Sequence, residues 1–84
     1  MEEEEVGKVE KFFAKPSVAA VEITAGILRV GDRVRFKGHT TDFEETVASM
    51  EVENRAIQEA KAGDVVGIKV KDRVREHDLV YKIS

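Results

Sequence analysis

The stretch LRVGDRVRFKG, residues 28–38, contains the strongest indication of the fold. Within it, residues 33–37 alternate charged and apolar side chains with a period of two, which is typical of a half-buried strand. Gly31-Asp32 comes directly before: glycine adopts positive φ without steric cost, and aspartate accepts hydrogen bonds from turn amides. The same Gly-Asp pair recurs in AGDVVGIKV, residues 62–70. The sequence therefore predicts two strands that each begin after a Gly-Asp turn.

Period-two alternation extends through most of the chain and predicts an all-β fold. We expect six strands: Val6–Phe13, Val18–Thr24, one after Asp32 with Val34 and Phe36 inward, one at about Glu45–Glu53 with Ala48, Met50 and Val52 inward, Val65–Val70, and a last strand with Leu79, Tyr81 and Ile83 inward. Residues 54–62 predict a helical turn or two at most. Because closure removes exposed strand edges, we predict a single small closed or nearly closed six-stranded β-barrel over residues 6–84. Residues 1–5 are predicted to form a disordered acidic tail.

The order of these landmarks resembles the second domain of elongation factor Tu and its relatives. The resemblance lies in Gly7-Lys8-Val9, Gly26-x-Leu28-x-Val30-Gly31-Asp32, Met50-Glu51-Val52 and Ala60-x-Ala62-Gly63-Asp64-x-x-Gly67-Ile68. It covers nearly the whole chain after the acidic tail. The chain is still more similar to stand-alone elongation factor-like proteins and to the C-terminal barrel of collagenase-like peptidases, some of whose relatives act in RNA hydroxylation. The resemblance implies a translation-factor domain 2 barrel that contacts tRNA, rRNA or the ribosome.

Composition excludes several classes of protein. The chain of 84 residues has no cysteine, which excludes a disulfide framework and a thiolate metal site. No apolar run approaches the roughly 20 residues that span a bilayer, and MEEEE is the reverse of a basic signal-peptide start. We predict a cytoplasmic protein without membrane contact. Its charged fraction of 37% resembles that of heat-adapted proteins.

The sequence lacks the usual signatures of catalysis and of nucleotide binding. No G-x-x-x-x-G-K-[ST] phosphate loop occurs, so GTP hydrolysis does not follow from the resemblance. His39 and His77 are far apart in the sequence, and no pattern places a nucleophile beside either of them. The segment KGHTTDFEE, residues 37–45, lacks the ligand spacing of a calcium or zinc site. We predict no enzymatic activity, no cofactor, no metal and no nucleotide.

Two rows of cations form the strongest candidate surface. In a strand, alternate residues face the same side, so each row is expected to face outward. The rows comprise Arg33, Arg35 and Lys37, and then Lys69, Lys71, Arg73 and Arg75. Such rows can follow a phosphate backbone with salt-sensitive affinity. The alternative is that they only solvate the outer face and pair with Glu22, Glu51 and Glu53 on neighbouring strands.

The remaining candidates lie in a loop and on the first strand. His39, Thr40 and Thr41 lie in a predicted hairpin loop, where binding groups on a rigid scaffold are common. Phe12 and Phe13 are adjacent and must face opposite sides of a strand; since Phe13 shares the side of Val9, Phe12 is expected on the outer face. There Phe12 would stack on a base or a partner, or be covered by the loop around Leu28.

These observations predict a non-catalytic, RNA-associated binding module that acts in translation or RNA modification. The alternative is a protein-interaction module that docks to an RNA-modifying enzyme of the collagenase-like peptidase family. The candidate RNA-binding residues are Phe12, Arg33, Arg35, Lys37, His39, Thr40, Thr41, Lys69, Lys71, Arg73 and Arg75.

Overall fold

The computed structural model describes residues 2–84, and over that range it contains ten β-strands and no helix. The strands are β1 (Glu3–Phe13), β2 (Val18–Ile23), β3 (Ile27–Arg29), β4 (Arg33–Lys37), β5 (Asp42–Thr46), β6 (Met50–Val52), β7 (Arg55–Ile57), β8 (Glu59–Lys61), β9 (Val65–Lys69) and β10 (Leu79–Ile83). The all-β class predicted from the alternation is therefore confirmed. In residues 2–84 no helix is long and apolar enough to cross a membrane.

Eight of the strands form one antiparallel sheet in the order β5-β4-β10-β1-β2-β9-β6-β7, and β3 pairs with β8 in a separate ribbon. Within the described residues no ladder joins β5 to β7, so the sheet is open and a closed barrel is not confirmed. The strand number differs from six because the strand expected at about Glu45–Glu53 divides into β5 and β6, and because β3, β7 and β8 form in segments where no strand was predicted. β10 lies between β1 and β4, which brings the end of the chain into the middle of the sheet.

The core is built from the inward side chains of these strands. Val34 and Phe36 are fully buried, as the alternation in β4 predicted, and Phe36 stacks on Phe43 with 5.2 Å between ring centroids. The other buried apolar residues are Val6, Val9, Ala19, Val21, Ile23, Leu28, Val47, Met50, Ala60, Val66, Ile68, Val70, Val74 and Val80. Aliphatic residues dominate this core, so packing of branched side chains supplies most of the apolar burial.

A β-bulge in β1 changes which phenylalanine faces the core. The register with β2 shifts between Val9 and Lys11, so one extra residue resets the alternation. Phe12 then packs against the core, while Phe13 remains 43% exposed. The prediction that Phe12 faces outward was wrong, because the bulge interrupts the alternation between Val9 and Phe12.

The two Gly-Asp turns have the predicted geometry, and a third turn of the same kind occurs. Gly31 and Gly63 have φ of 98° and 100°. Asp32 Oδ2 accepts a hydrogen bond from the Arg29 amide at 2.8 Å, and Asp64 Oδ2 accepts one from the Lys61 amide at 3.0 Å. In the third turn the Asp78 carboxylate accepts from the Arg75 amide at 2.8 Å, and His77, with φ of 74°, takes the place of the glycine.

The prediction of a disordered tail over residues 1–5 was wrong for Glu3–Glu5. These residues extend β1 and pair with Ile83, Lys82 and Tyr81 of β10. Their side chains are exposed, so the backbone ladder, rather than apolar burial, orders the segment. The Glu3 carboxylate adds a contact of 2.9 Å to Arg35 Nε on β4.

Residues 54–62 do not form the predicted helical turn. Glu53 and Asn54 have φ of 50° and 65°, which closes a two-residue hairpin between β6 and β7. β8 then pairs with β3 instead of continuing a helix. The short Ala-Ile-Ala spacing that suggested a helix reflects two successive short strands.

Two predicted strands differ in extent or in orientation. The strand expected at about Glu45–Glu53 divides into β5 and β6, because Val47 leaves the sheet and exchanges backbone hydrogen bonds of 2.8 Å with Gly31 and Asp32. Val47 is therefore buried and Ala48 exposed. In β10 it is Val80 that is buried, with Leu79, Tyr81 and Ile83 only half-buried.

Candidate nucleic-acid interface

The β4 row faces outward as predicted, but acidic side chains neutralise most of its charge. Arg35 Nη1 lies 2.9 Å from Asp42 Oδ1, and Arg35 Nη2 lies 2.6 Å from Glu44 Oε2. The third carboxylate comes from Glu3, whose Oε2 is 2.9 Å from Arg35 Nε in a direction that does not complete a hydrogen bond. Arg33 Nε lies 3.6 Å from Glu44 Oε1. The alternative reading, in which outer-face cations pair with acids, therefore describes Arg33 and Arg35, although the acids are not those predicted.

The acids around Arg35 also determine its protonation. Partial burial of the guanidinium lowers the pKa of Arg35, but the charges of Glu3, Asp42 and Glu44 outweigh that effect and raise the pKa above its ordinary value. Arg35 therefore stays cationic at any physiological pH. Its positive charge is balanced locally, so it presents little net potential to an approaching anion.

The second predicted row is not a row in the structure. β9 ends at Lys69, and Lys71, Arg73 and Arg75 lie in the loop at residues 70–78. The strand ends there because the β1–β2 turn holds Val70: the Val70 amide donates to the Ser17 carbonyl at 2.9 Å, and Ser17 Oγ donates to the Val70 carbonyl at 2.6 Å. The prediction that these cations share one strand face was wrong.

Two of these loop cations instead meet β1 at a shallow groove. Its volume is about 380 Å³. The groove, which we call the cationic groove, is lined by Lys11, Phe12, Arg73, Val74, Arg75 and Glu76. Among residues 2–84, none of its three cations is within ion-pair distance of a carboxylate. The groove thus combines an aromatic side chain with cations that are not locally neutralised.

The loop that forms the groove is fixed at several points. Val74 is buried in the core, with an exposed fraction of 1%. The His77 amide donates to the Val9 carbonyl at 2.8 Å, and the Val9 amide donates to the Asp78 carbonyl at 2.8 Å. These bonds attach the loop to β1 next to the bulge that turns Phe12 inward. The cations therefore project from an anchored backbone.

The remaining candidates lie at the neighbouring β4–β5 turn. His39 and Thr40 are exposed, but Thr41 is buried, so it is not available for the predicted contact. Gly38 packs so tightly on the Asp78 carboxylate that a Cβ at Gly38 would overlap it. This places Lys37 and His39 beside the start of β10 and hence beside the loop at residues 70–78.

Lys71 is directed toward β5. Its amide donates to Glu45 Oε1 at 3.1 Å, and its Nζ lies 5.9 Å from the centre of the Phe43 ring. Burial raises the pKa of Glu45, and the hydrogen bond and the charge of Lys71 only partly offset that effect. Lys71 thus connects the loop to β5 and stands apart from the cationic groove.

A second, larger groove lies on the other side of the β1–β2 turn and was not predicted. It has a volume of about 620 Å³, and its lining includes Phe13, Pro16, Val18, Val65, Lys69, Glu51 and Glu53. Phe13 and Val65 are 43% and 50% exposed, and Lys11 Nζ stands 5.1 Å from the centre of the Phe13 ring. We call it the apolar groove. The bulge that leaves Phe12 half-buried against the core exposes Phe13, and no pattern in the sequence indicated that bulge.

The fold and these surfaces define a small antiparallel β domain with surface grooves beside one strand end. The family model of elongation factor Tu domain 2 matches residues 17–77. The chain therefore belongs to the elongation factor Tu domain 2 family, as the sequence landmarks predicted.

Two known relatives match nearly the whole of this chain. The protein of Methanocaldococcus jannaschii named Uncharacterized protease MJ0090 is 41% identical over 81 residues, which are 95% of this chain and 20% of that protein. A collagenase of Porphyromonas gingivalis is 35% identical over 80 residues, which are 94% of this chain and 22% of the collagenase. The chain thus spans about a fifth of the length of these relatives.

A solved structure confirms the fold. The C-terminal domain of a Geobacillus thermoleovorans protein assigned to the U32 peptidases superposes with a TM-score of 0.89 at 23% identity. The superposition covers 96% of this chain and 93% of that domain. The resemblance to the C-terminal domains of collagenase-like peptidases is therefore confirmed.

Proposed function

We propose that this domain is a non-catalytic binding module that associates with RNA in the cytoplasm, in translation or in RNA modification. The observation that supports it most is the cationic groove, whose lining combines Phe12 with Lys11, Arg73 and Arg75 and includes one acid, Glu76. Among residues 2–84 none of the three cations is in an ion pair. Membership of a translation-factor domain family adds support. RNA presents phosphates to cations and bases to aromatic rings, and the groove has both kinds of group.

Under this proposal the candidate residues divide into a centre, a periphery and a group that makes little direct contact with RNA. Arg73, Arg75 and Phe12 form the centre of the interface, with Lys11 added. Lys37, His39 and Thr40 lie beside it at the β4–β5 turn. Lys71 lies apart from it toward β5, and Lys69 lines the apolar groove, so both are peripheral to the interface. Arg33 and Arg35 contribute little to direct contact, because carboxylates occupy their charged groups.

A titration of isotope-labelled protein with bulk tRNA, at low and at moderate salt, tests this proposal. We expect NMR shifts at Lys11, Phe12 and residues 73–76 that weaken as salt rises. The double variant Arg73→Gln with Arg75→Gln should reduce the affinity about tenfold, since each lost phosphate contact removes part of the electrostatic attraction. The hydrogen bonds of Arg75 come from its backbone amide and carbonyl, and no side-chain hydrogen bond of Arg73 or Arg75 is found among residues 2–84, so both substitutions leave the loop intact.

The matched control is Arg55→Gln with Lys61→Gln, which makes the same change in net charge at exposed positions on β7 and β8. If both double variants lose the same affinity, or if heparin reproduces every shift seen with tRNA, the groove is not an RNA site. The proposal is also wrong if tRNA produces no salt-sensitive shift under conditions in which a known RNA-binding domain binds.

A second candidate function is protein interaction, and the apolar groove supports it. Phe13 and Val65 leave apolar surface exposed on one side of the sheet, as interaction sites do. In each of these relatives the unmatched part is about four times as long as the matched segment. A protein of the collagenase-like peptidase family is therefore the partner that we propose for the apolar groove.

A pull-down tests this second candidate. The domain is immobilised and incubated with a nuclease-treated native extract. A partner of the peptidase family should be retained by the wild-type chain and lost with Phe13→Ser. Ile27→Ser removes an exposed apolar side chain of similar accessibility elsewhere, at 40%, and should retain the partner. Equal retention by both variants would contradict docking at the apolar groove.

A further inference from the structure

The guanidinium of Arg35 is held by acids from two different parts of the sheet. Asp42 and Glu44 belong to β5, which pairs with β4 through the register Lys37↔Asp42 and Arg35↔Glu44. Glu3 comes from β1, on the far side of β10. Together the three carboxylates contact Nη1, Nη2 and Nε of the guanidinium. These are the nitrogens with which an arginine binds phosphate oxygens.

The acids therefore stand where phosphates of a polyanion would stand. On this side of the sheet Arg33, Arg35 and Lys37 face outward, a set we call the β4 face. Its three positive charges are matched by the three negative charges of Glu3, Asp42 and Glu44, and the pairs Arg35↔Tyr81 and Glu5↔Tyr81 place Glu5 on the same side. When the segment that carries Glu3 and Glu5 withdraws, the net charge of the face becomes positive, and the alternating cations regain the spacing of a polyanion-binding row.

Of the three acids, Glu3 is the one that can withdraw most readily. Asp42 and Glu44 each form a hydrogen bond with Arg35, whereas the Glu3 contact has hydrogen-bond distance without the required direction. Glu3–Glu5 pair only with β10, because the ladder between β1 and β2 begins at Gly7. A segment paired on one side, with exposed side chains, opens locally at low cost compared with the core strands.

We propose that Glu3, held in the β1 extension, masks the β4 face as an internal competitor of polyanions. This inference rests on the proposed RNA association, which it extends from the cationic groove to a second surface that is exposed when the extension opens. Salt has two opposite effects in such a device. It weakens the Glu3–Arg35 contact, which unmasks the face, and it weakens the attraction of the polyanion to every cation.

A comparison of Glu3→Gln with Glu4→Gln tests the masking. The affinity of each variant is measured for polyuridylate and for a heparin fragment. The two variants make the same change in net charge at adjacent residues, and Glu4 is in no ion pair among residues 2–84. We expect Glu3→Gln to bind both polyanions about two- to fivefold tighter than wild type at low salt, the size of effect that releasing one surface ion pair produces. New NMR shifts should appear at Arg33, Arg35 and Lys37. Glu4→Gln should change affinity less than twofold and add no shifts there.

A third variant separates the contact from the charge. Glu3→Asp keeps the charge but shortens the side chain by one methylene, so it should unmask the face almost as well as Glu3→Gln. Equal effects of Glu3→Gln and Glu4→Gln, or tighter binding with shifts confined to the cationic groove, would show that only net charge matters and would overturn the masking. Heparin shifts on the β4 face of Glu3→Gln, with no polyuridylate binding by any protein, would support the masking and contradict RNA association.

Discussion

At the scale of single residues, three turns form the same hydrogen bond to a closing aspartate, and the residue at positive φ is glycine or histidine. Gly31 and Gly63 occupy that position in two turns, and His77 occupies it in the third. A side chain at this φ crowds its own backbone, and the cost is about 1–2 kcal/mol for ordinary residues. The sequence showed two of the turns because glycine marks them, and concealed the third because histidine does not.

Replacing His77 by glycine should therefore stabilise the domain. We expect His77→Gly to raise the free energy of unfolding by about 1 kcal/mol, somewhat less than the full relief because glycine also gains freedom in the unfolded chain. Urea denaturation followed by circular dichroism measures the difference.

The converse substitutions provide the control. A Cβ at Gly31 or Gly63 would meet no atom within 4 Å, so Gly31→Ala and Gly63→Ala test conformational cost without a clash. Each should lower the free energy of unfolding by about 1 kcal/mol. A His77→Gly variant that is less stable than wild type would show that the imidazole makes a compensating contact in this turn.

At the scale of the elements, the bulge in β1 decides the role of two neighbouring aromatic residues. Phe12 packs against the core, whereas Phe13 faces the apolar groove. We expect Phe12→Ala to lower the free energy of unfolding by about 2 kcal/mol, since it removes a partly buried ring, and Phe13→Ala to change it by less than about 0.5 kcal/mol. Chemical denaturation of both variants measures this order. If Phe13→Ala lowers the free energy of unfolding more than Phe12→Ala does, then Phe13 faces the core, as uninterrupted alternation predicts.

The strands whose residues alternate without a bulge were predictable, and those that bend were not. β4 alternates from Arg33 to Lys37 and has the predicted inward pair. Residues 45–53 were predicted as one strand because the alternation continues through Val47. In the structure the Val47 carbonyl accepts from the Gly31 amide and the Val47 amide donates to the Asp32 carbonyl, and these bonds hold Val47 outside the sheet. Alternation reflects a local preference. It does not indicate which distant backbone groups will form hydrogen bonds with a residue in place of the neighbouring strand.

The same distinction explains the candidate site. That Arg33 and Arg35 face outward followed from alternation, but that Glu3 reaches Arg35 depends on β10 lying between β1 and β4. The cationic groove brings residues 11–12 together with residues 73–76, which no spacing along the chain indicates. The outward face of Arg33 and Arg35 could therefore be predicted from the sequence, whereas the loop position of Lys71, Arg73 and Arg75 could not. The partners of these charges required the order of strands in the sheet.

At the scale of the whole molecule, the free energy of unfolding depends on pH through Glu45 of β5, whose carboxylate accepts a hydrogen bond from the Lys71 amide in the loop at residues 70–78. Burial raises the pKa of Glu45, so the folded state holds this proton more tightly than the unfolded chain does. The contribution of Glu45 to the free energy of unfolding should therefore rise as pH falls from neutral toward the unfolded value of about 4.3. Glu45→Gln keeps an acceptor for the Lys71 amide and removes the ionisation.

We expect Glu45→Gln to be at least as stable as wild type at pH 7 and to show a flatter dependence of stability between about pH 4.5 and 7. Thermal melts of both proteins across this range measure the difference. Glu51→Gln, at an exposed carboxylate on β6 that is in no ion pair among residues 2–84, controls for the loss of one negative charge. A larger loss of stability in Glu45→Gln than in Glu51→Gln at pH 7 would mean that the charged carboxylate stabilises the loop.

The distribution of charge over the molecule predicts how RNA affinity depends on salt. The chain has a net charge of -3, so attraction must come from local groups and not from the overall field. If only Lys11, Arg73 and Arg75 contact phosphates of a single strand, the logarithm of the association constant should fall with the logarithm of salt concentration at a slope of about -2. If Arg33, Arg35 and Lys37 bind as well, the slope should approach about -4.

Wild type should therefore give the shallower slope, and Glu3→Gln the steeper one at low salt, because only the variant exposes the β4 face. Fluorescence anisotropy with a labelled polyuridylate fragment, measured over a tenfold range of salt, determines both slopes. A steep slope for wild type would mean that the carboxylates on Arg35 yield to phosphate without help, so that both surfaces bind together. Equal shallow slopes would confine binding to the cationic groove, where the anchored loop and the bulge of β1 hold its cations beside an aromatic ring.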